Sequence, residues 1–327
     1  MLREQEFVGD NFFDEFWFWD APDPTHSAVR YVDAKTARAE NLTYVDSYTN
    51  KFVMQVDYEG KAVPLGQTNS TGRKSVRIHS KRLFGDGLYV IKASHMPVGC
   101  GTWPAFWTSN KGDWPVGGEI DIIEGVYNSK VNMASLHTLD GCMIPKNVST
   151  IQQGHLDRTN CSYQPGCASS FSDKQSWGDR FNTNNGGYFA MMRDTQLGGL
   201  GIQVWFWPAF VDPQEIPLAV SAAARKAPGT VDTVVDIGSF GAPQAFFGAD
   251  MGSKSSCEMS KLFHKHEIIF NIALCGDWGN SAFAANPQCP GVHCEDFVSQ
   301  NGSQLSNARW EVDYVRIYSA GAGTFFF

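Results

Sequence analysis

Hydrophobic positions along the chain fall in short runs separated by turn residues. Leu88 to Ala93 (LYVIKA) and Ile202 to Trp207 (IQVWFW) are two such runs, and Trp310 to Tyr318 (WEVDYVRIY) alternates apolar with polar. Ile268 to Leu274 is apolar except at Asn271 and reads as a strand buried on both faces. Gly85-Asp86-Gly87 and Asn185-Gly186-Gly187 carry hairpin-type punctuation. Many short strands with regular turns predict an all-β fold, a sandwich or jelly roll of two antiparallel sheets. Helix signals are sparse. Ala219 to Ala227 is Ala-rich and predicts a short surface helix. Residues 141–187 are rich in Asn, Ser, Gln and Gly and predict a long excursion, with Cys161 and Cys167 available to pin it. No linker and no repeat interrupts the pattern. A single domain over 1–327 is expected, with its core at about 12–318 and short extensions at both ends.

One run breaks the alternation. In Gly118-Glu119-Ile120-Asp121-Ile122-Ile123-Glu124-Gly125, three acids are interleaved with three isoleucines. In a regular strand Glu119, Asp121 and Ile123 share one face, and Glu124 turns inward with Ile120 and Ile122. An unpaired buried carboxylate is costly. One extra residue removes the conflict, because a β-bulge at Ile122-Ile123 shifts the phase and returns Glu124 to the face of Glu119 and Asp121. The two glutamates are then about four strand steps apart, or ~13 Å between Cα atoms. Side chains leaning inward bring the carboxyl groups to roughly 5–6 Å, compared with about 5–5.5 Å in retaining glycosidases and about 6.5–9.5 Å in inverting ones. Spacing alone leaves both cases open. Three clustered carboxylates cannot all ionise cheaply, so a pKa should rise, as a general acid requires.

An acidic strand edge facing solvent, or a structural ion-pair cluster, would account for the acids equally well. The aromatic residues just before them shift the balance. Trp103, Phe106, Trp107 and Trp114 precede the motif, and indole rings stack on the C–H faces of sugars as readily as they fill cores. Trp103 and Trp114 are assigned to sugar contact. Trp107 is set toward the core, though it stays among the substrate-binding candidates.

Charge narrows the partners. Acidic residues number 34 and basic residues 26, for a formal charge of −8 without a basic run. Nucleic acid and anionic membranes are excluded, since both are bound through clustered Lys and Arg. Only 18% of residues are charged, against roughly 25% in ordinary globular chains, which suits a neutral partner. Eight cysteines without a Cys-x-x-Cys, and Asn-x-Ser/Thr sequons at Asn41, Asn69, Asn147, Asn160 and Asn301, point to an oxidising, secretory environment. Short separations favour pairing Cys161 with Cys167 and Cys289 with Cys294. No leader is visible after Met1, so one is expected to have been removed, or replaced by an expression Met. His264-Lys265-His266 reads as an exposed loop rather than a metal site.

Three stretches together resemble glycoside hydrolase family 16, and within it the fungal laminarinase-type endo-1,3(4)-β-glucanases. They are Trp103-Pro104-Ala105-x-Trp107, the acidic run Gly118 to Gly125, and Ser135-Leu136-His137-Thr138. Asp23 to His26, Gly72 to Ile78 with Arg77, Cys275 to Trp278 and Asp313 to Tyr318 extend the likeness over nearly the whole chain. The resemblance implies a curved jelly roll with an open concave cleft and a retaining mechanism. Glu119 matches the nucleophile, Glu124 the acid/base, Asp121 the carboxylate that tunes the nucleophile, and His137 a histidine near the cleavage point. Arg77 and Asn128 join Trp103, Trp107, Trp114 and His137 as substrate-binding candidates. No cofactor is required, although many members hold a structural calcium, for which Asp313 is the candidate ligand. The substrate implied is a β-1,3-glucan, acted on outside the cell by a monomer. A wall-glucan transglycosylase and a non-catalytic glucan-binding protein are the alternatives. Arg30, Met192-Arg193 and Phe240 to Pro243 depart from the family pattern, which leaves outer-subsite preference open.

Overall fold

A computed structural model of the chain describes residues 1–62, 72–127, 129–221, 235–248, 257–291 and 293–319. Two large antiparallel sheets pack together, as the alternation predicts. The cleft sheet has eight strands in the order His155–Arg158, Cys167–Ser170, Met133–His137, Glu119–Glu124, Thr102–Ser109, Glu267–Leu274, Arg77–Ser80, Phe16–Phe18. The backing sheet runs Ala245–Phe247, Gly201–Pro208, Gly187–Asp194, Gly87–His95, Arg309–Ser319, Phe52–Gln55, Thr43–Val45. The acidic strand lies inside the cleft sheet, with paired strands on both sides, so it is not a solvent-facing edge.

The main core fills the space between the sheets. Ile120, Phe106, Ile268, Phe270 and Ile272 come from the cleft sheet, and Tyr89, Ile91, Phe189, Met191, Val204 and Ile317 from the backing sheet. Apolar runs in the backing sheet are buried on both faces. Its outer side carries Leu88, Val90, Ala190, Met192, Trp205 and Tyr314, covered by Ile216, Val220 and Phe240. Two of the family departures, Met192 and Phe240, belong to this outer cluster. Arg193 bonds Asp86 and the His264 carbonyl, and Arg30 is exposed on a short parallel strand.

Several expectations change. Leu2–Phe7, placed outside the core by the sequence, pairs with Arg309–Ser319 and buries Phe7. Residues 141–187 are not a plain loop, because they contribute the strands His155–Arg158 and Cys167–Ser170 and a helix at Gly178–Thr183. The Ala219 to Ala227 helix lies outside the described residues from 222 onward. Cys161 does pair with Cys167, but Cys289 pairs with Cys100 and Cys294 with Cys275; the remaining bridge joins Cys142 to Cys257. Fold closure brings those distant partners together, which separation along the chain cannot reveal.

Candidate active site

The bulge forms where the side-chain period requires it. Toward Thr102–Ser109, Asp121 pairs with Trp107 and Ile123 with Phe106, leaving Ile122 as the extra residue. Toward Met133–His137, pairing passes from Asp121–Ser135 to Glu124–Met133. Ile122 and Ile123 both join the core, and Glu124 returns to the cleft face. Gly118 sets the turn that launches the strand, at φ +83° and with its Cα so close to Phe263 that a Cβ would lie 2.4 Å from the ring.

Each glutamate receives one indole. Trp103 Nε1 donates to Glu124 Oε1 at 2.8 Å, and Trp114 Nε1 donates to Glu119 Oε2 at 2.9 Å. Asp121 lies between them, 3% exposed. His137 donates from Nδ1 to the Tyr163 carbonyl at 2.9 Å, which leaves Nε2 3.3 Å from Asp121 Oδ2 and 3.9 Å from Glu119 Oε1. Tyr163 belongs to the turn closed by the Cys161–Cys167 bridge.

Electrostatics follow from this packing. Burial, then the neighbouring Asp121 charge, pushes Glu124 up to about 8. Burial and Asp121 likewise push Glu119 up to about 8, while His137, the Trp114 N–H and Arg77 oppose the rise. Burial opposes charge on His137, but the Asp121 and Glu119 carboxylates outweigh it and raise the imidazole to about 10. The cluster therefore retains protons at neutral pH that isolated carboxylates would lose.

A second network continues the cleft. Glu124, Ala105, Asn271 and Arg77 form one cross-strand row, and Asp121, Trp107, Ile269 and His79 the next. Arg77 lies between Trp19 and Trp107, with its guanidinium carbon 4.7 and 5.0 Å from their ring centres. It donates from Nε to His79 Nε2 at 2.9 Å, and His79 Nδ1 is 3.1 Å from Glu267 Oε2. Trp17 stacks on His79 and donates to Glu267.

Trp103, Trp114, His137 and Arg77 thus stand with the acids on one face. Trp107 is corrected: it is only partly buried, and its indole N–H bonds Asn271 Oδ1 at 2.8 Å while Phe106 takes the core position. Asn128 lies outside the described residues. Sequence reasoning missed Trp278, which packs edge-on against Trp103 with ring centres 5.8 Å apart, although its motif was in view. It also missed His79, Glu267, Asn271 and Asn132, each of which reads alone as an ordinary strand or loop residue. His266, expected in an exposed loop, is buried and bridges Thr108 Oγ1 to the Gly117 carbonyl.

Among the described residues, one group of acids and histidines is tight enough for a metal, namely Glu119, Asp121 and His137, whose ligand atoms lie within 4.8 Å of one another. A cation there would displace the protons just described. Asp313, the candidate calcium ligand, has the ammonium groups of Lys92 and Lys51, the Glu311 carboxylate and the Ser94 hydroxyl around it, a mixed setting rather than the six to eight oxygens of a calcium cage.

Residues 16–318 match the family described as XgeA-like, catalytic GH16 domain, that is, glycoside hydrolase family 16. An endo-1,3(4)-beta-glucanase of Arthroderma benhamiae is 35% identical over 98% of this chain and 65% of its own length. Laminarinase 16A of Phanerochaete chrysosporium, solved with 6-O-glucosyl-laminaritriose in donor and acceptor sites, is 36% identical, with a TM-score of 0.84 over 97% of this chain and 99% of that one. An elongating family 16 beta-1,3-glucosyltransferase is 31% identical, with a TM-score of 0.81 over 97% and 99%. The chain spans between 39% and 68% of the length of eight curated relatives it matches. By its jelly roll, its bulged acidic strand and this likeness over nearly its full extent, the chain belongs to glycoside hydrolase family 16.

Proposed function

We propose that this chain is a retaining endo-glycosidase that hydrolyses β-1,3-glucan, with tolerance of 1,3-1,4 links or 1,6-branches set by the outer cleft. The observation that carries the reading is a bulge that puts Glu119, Asp121 and Glu124 on one cleft face, each glutamate held by an indole N–H. Glu119, with His137 3.9 Å away, is suited to hold negative charge and attack the anomeric carbon. As the glycosidic C–O bond breaks, Glu124 gives its proton to the departing oxygen. Burial and Asp121 raise both glutamates, so the pair holds a proton at neutral pH, and His137 beside Glu119 favours placing it on Glu124. Glu124 then takes a proton from water, the water oxygen attacks the same carbon, and Glu119 leaves as carboxylate. Configuration is retained through two inversions. Asp121 and His137 tune the charge on Glu119. Trp103, Trp107, Trp114 and Arg77 offer the sugar-facing surface.

The chemistry uses no cofactor. The chain is read as one catalytic unit acting as a monomer, and four disulfides favour an extracellular setting. Likeness to the elongating glucosyltransferase supports a second reading, in which a sugar hydroxyl rather than water resolves the intermediate. A time course of products from laminarin, barley mixed-linkage glucan and a 1,6-branched glucan tests both. Short oligosaccharides with retained configuration support hydrolysis, and chains longer than the substrate support transfer. Glu119→Gln should remove nearly all turnover while leaving glucan binding; retained turnover would overturn the nucleophile assignment.

A further inference from the structure

We infer that Asn132 is a positioning residue that holds the bulge of the acidic strand in register and so keeps Glu124 in the cleft. This inference rests on the proposed role of Glu124 as acid/base. Asn132 is 0% exposed and directly precedes the Met133–His137 strand. Its side-chain Oδ1 accepts the Glu124 backbone N–H at 3.0 Å, and its Nδ2 donates to the Ile122 carbonyl at 2.9 Å. A single planar amide thus engages one donor and one acceptor of the strand, on either side of Ile123.

The two bonds have a specific consequence. A bulge breaks the regular exchange of ladder bonds between strands, and backbone groups at the break need other partners. A side-chain amide offers an uncharged donor and acceptor in one plane, so Leu, of similar shape, would lose both bonds. Without the clamp, the strand is freer to relax toward the regular pleat, in which Glu124 would point inward with the isoleucines. Asn132 is itself fixed from outside the site. Its backbone N–H donates to Ser176 Oγ at 3.0 Å, its carbonyl accepts from Phe171 N at 2.9 Å, and Ser176 Oγ donates to the Asp173 carbonyl at 2.6 Å. Trp103 holds the other end of Glu124, at the carboxyl group. Backbone clamp and indole together set where the proton is delivered.

The test uses leaving groups of different acidity. Asn132→Leu keeps the approximate shape but removes both bonds without adding charge, and Asn132→Ser removes the amide. Each is compared with wild type and Glu124→Ala on laminarin and on a 2,4-dinitrophenyl β-laminaribioside, whose departure needs no proton. On laminarin, kcat/KM of the Asn132 variants should fall roughly tenfold or more, a fraction of the 10²–10⁴ that a general acid contributes. On the activated substrate it should stay within about threefold, and azide should restore part of kcat by replacing the water that Glu124 would activate. Equal losses on both substrates in a folded variant, judged by circular dichroism, would make Asn132 merely structural and overturn the inference, as would no loss on either. If Glu124→Ala itself loses both substrates equally, the acid/base reading fails instead. Should neither Asn132 variant fold, Ser176→Ala removes the acceptor of the Asn132 backbone N–H and loosens the residue from behind. It should show the same selective loss at smaller size, and an unselective loss or none would overturn the inference.

Discussion

Trp103 donates its indole N–H to the carboxyl group of Glu124 at 2.8 Å, and this bond favours the ionised form of a group proposed to act protonated. Removing the donor while keeping an aromatic ring, as in Trp103→Phe, should therefore raise the Glu124 pKa. The alkaline limb of the kcat/KM profile should move up by about one to two pH units, as expected for a hydrogen bond to a charged group. Trp114 stands in the same relation to Glu119. Trp114→Phe should move the acidic limb upward instead, because Glu119, as the proposed nucleophile, must ionise to attack. One variant widens the active range and the other narrows it, and pH profiles of both distinguish the two glutamates.

Stability should respond to pH in a defined direction. The folded pKa of Glu124 is raised from 4.5 to about 8, so the folded state binds more protons than the unfolded one between those values. Stability therefore falls as pH rises through that window. Glu124→Gln, which cannot ionise, should melt higher than wild type at pH 8, on the order of a few °C, and should lose the advantage below pH 4.5. Thermal unfolding of both proteins across pH checks the sign.

His79 is buried and neutral, its pKa lowered to about 4 by desolvation against the pull of Glu267. It connects Glu267 to Arg77, which is itself held between Trp19 and Trp107. His79→Ala should loosen Arg77 and weaken substrate binding, raising KM about tenfold, as the loss of one buried hydrogen bond allows, with kcat nearly unchanged. Steady-state kinetics on laminarin separates the two constants.

The bridges should divide into two kinds. Cys161 and Cys167 are six residues apart and close the turn that presents the Tyr163 carbonyl to His137. Replacing both with Ser should lower kcat severalfold and cost less than about half the melting temperature lost with the long bridge, since short loops contribute least chain entropy. Cys100 and Cys289 are 189 residues apart. Replacing that pair should cost several °C and leave kcat of the folded enzyme near wild type. Calorimetry beside kinetics reads both effects.

The pleat and its interruption were legible because they obey a period of two. Strands at Leu88, Ile202, Ile268 and Trp310 are apolar runs of the right length, and the bulge followed from the cost of burying Glu124. Trp107 misled because its neighbour Phe106 is also aromatic, and in a bare sequence either phase fits the core. Cys100–Cys289 and Cys275–Cys294 depend on how the sheets close, which local spacing does not encode. Asn132 sits just ahead of a strand and looks like turn residue; its partners are backbone atoms of another strand, on which one-dimensional pattern is silent.

The extra isoleucine has a consequence for genetics. Because alternate residues face opposite ways, no point substitution can carry a carboxylate from one side of the sheet to the other. Excising the codon for Ile122 would leave Glu-Ile-Asp-Ile-Glu, with all three acids again on a common side and no kink to maintain. Odd spacing with a kink and even spacing without one are thus two solutions to a single geometric problem, one deletion apart. Aligned without a gap against such a shortened strand, Ile123, a core residue, would fall in the column of a proposed catalytic carboxylate.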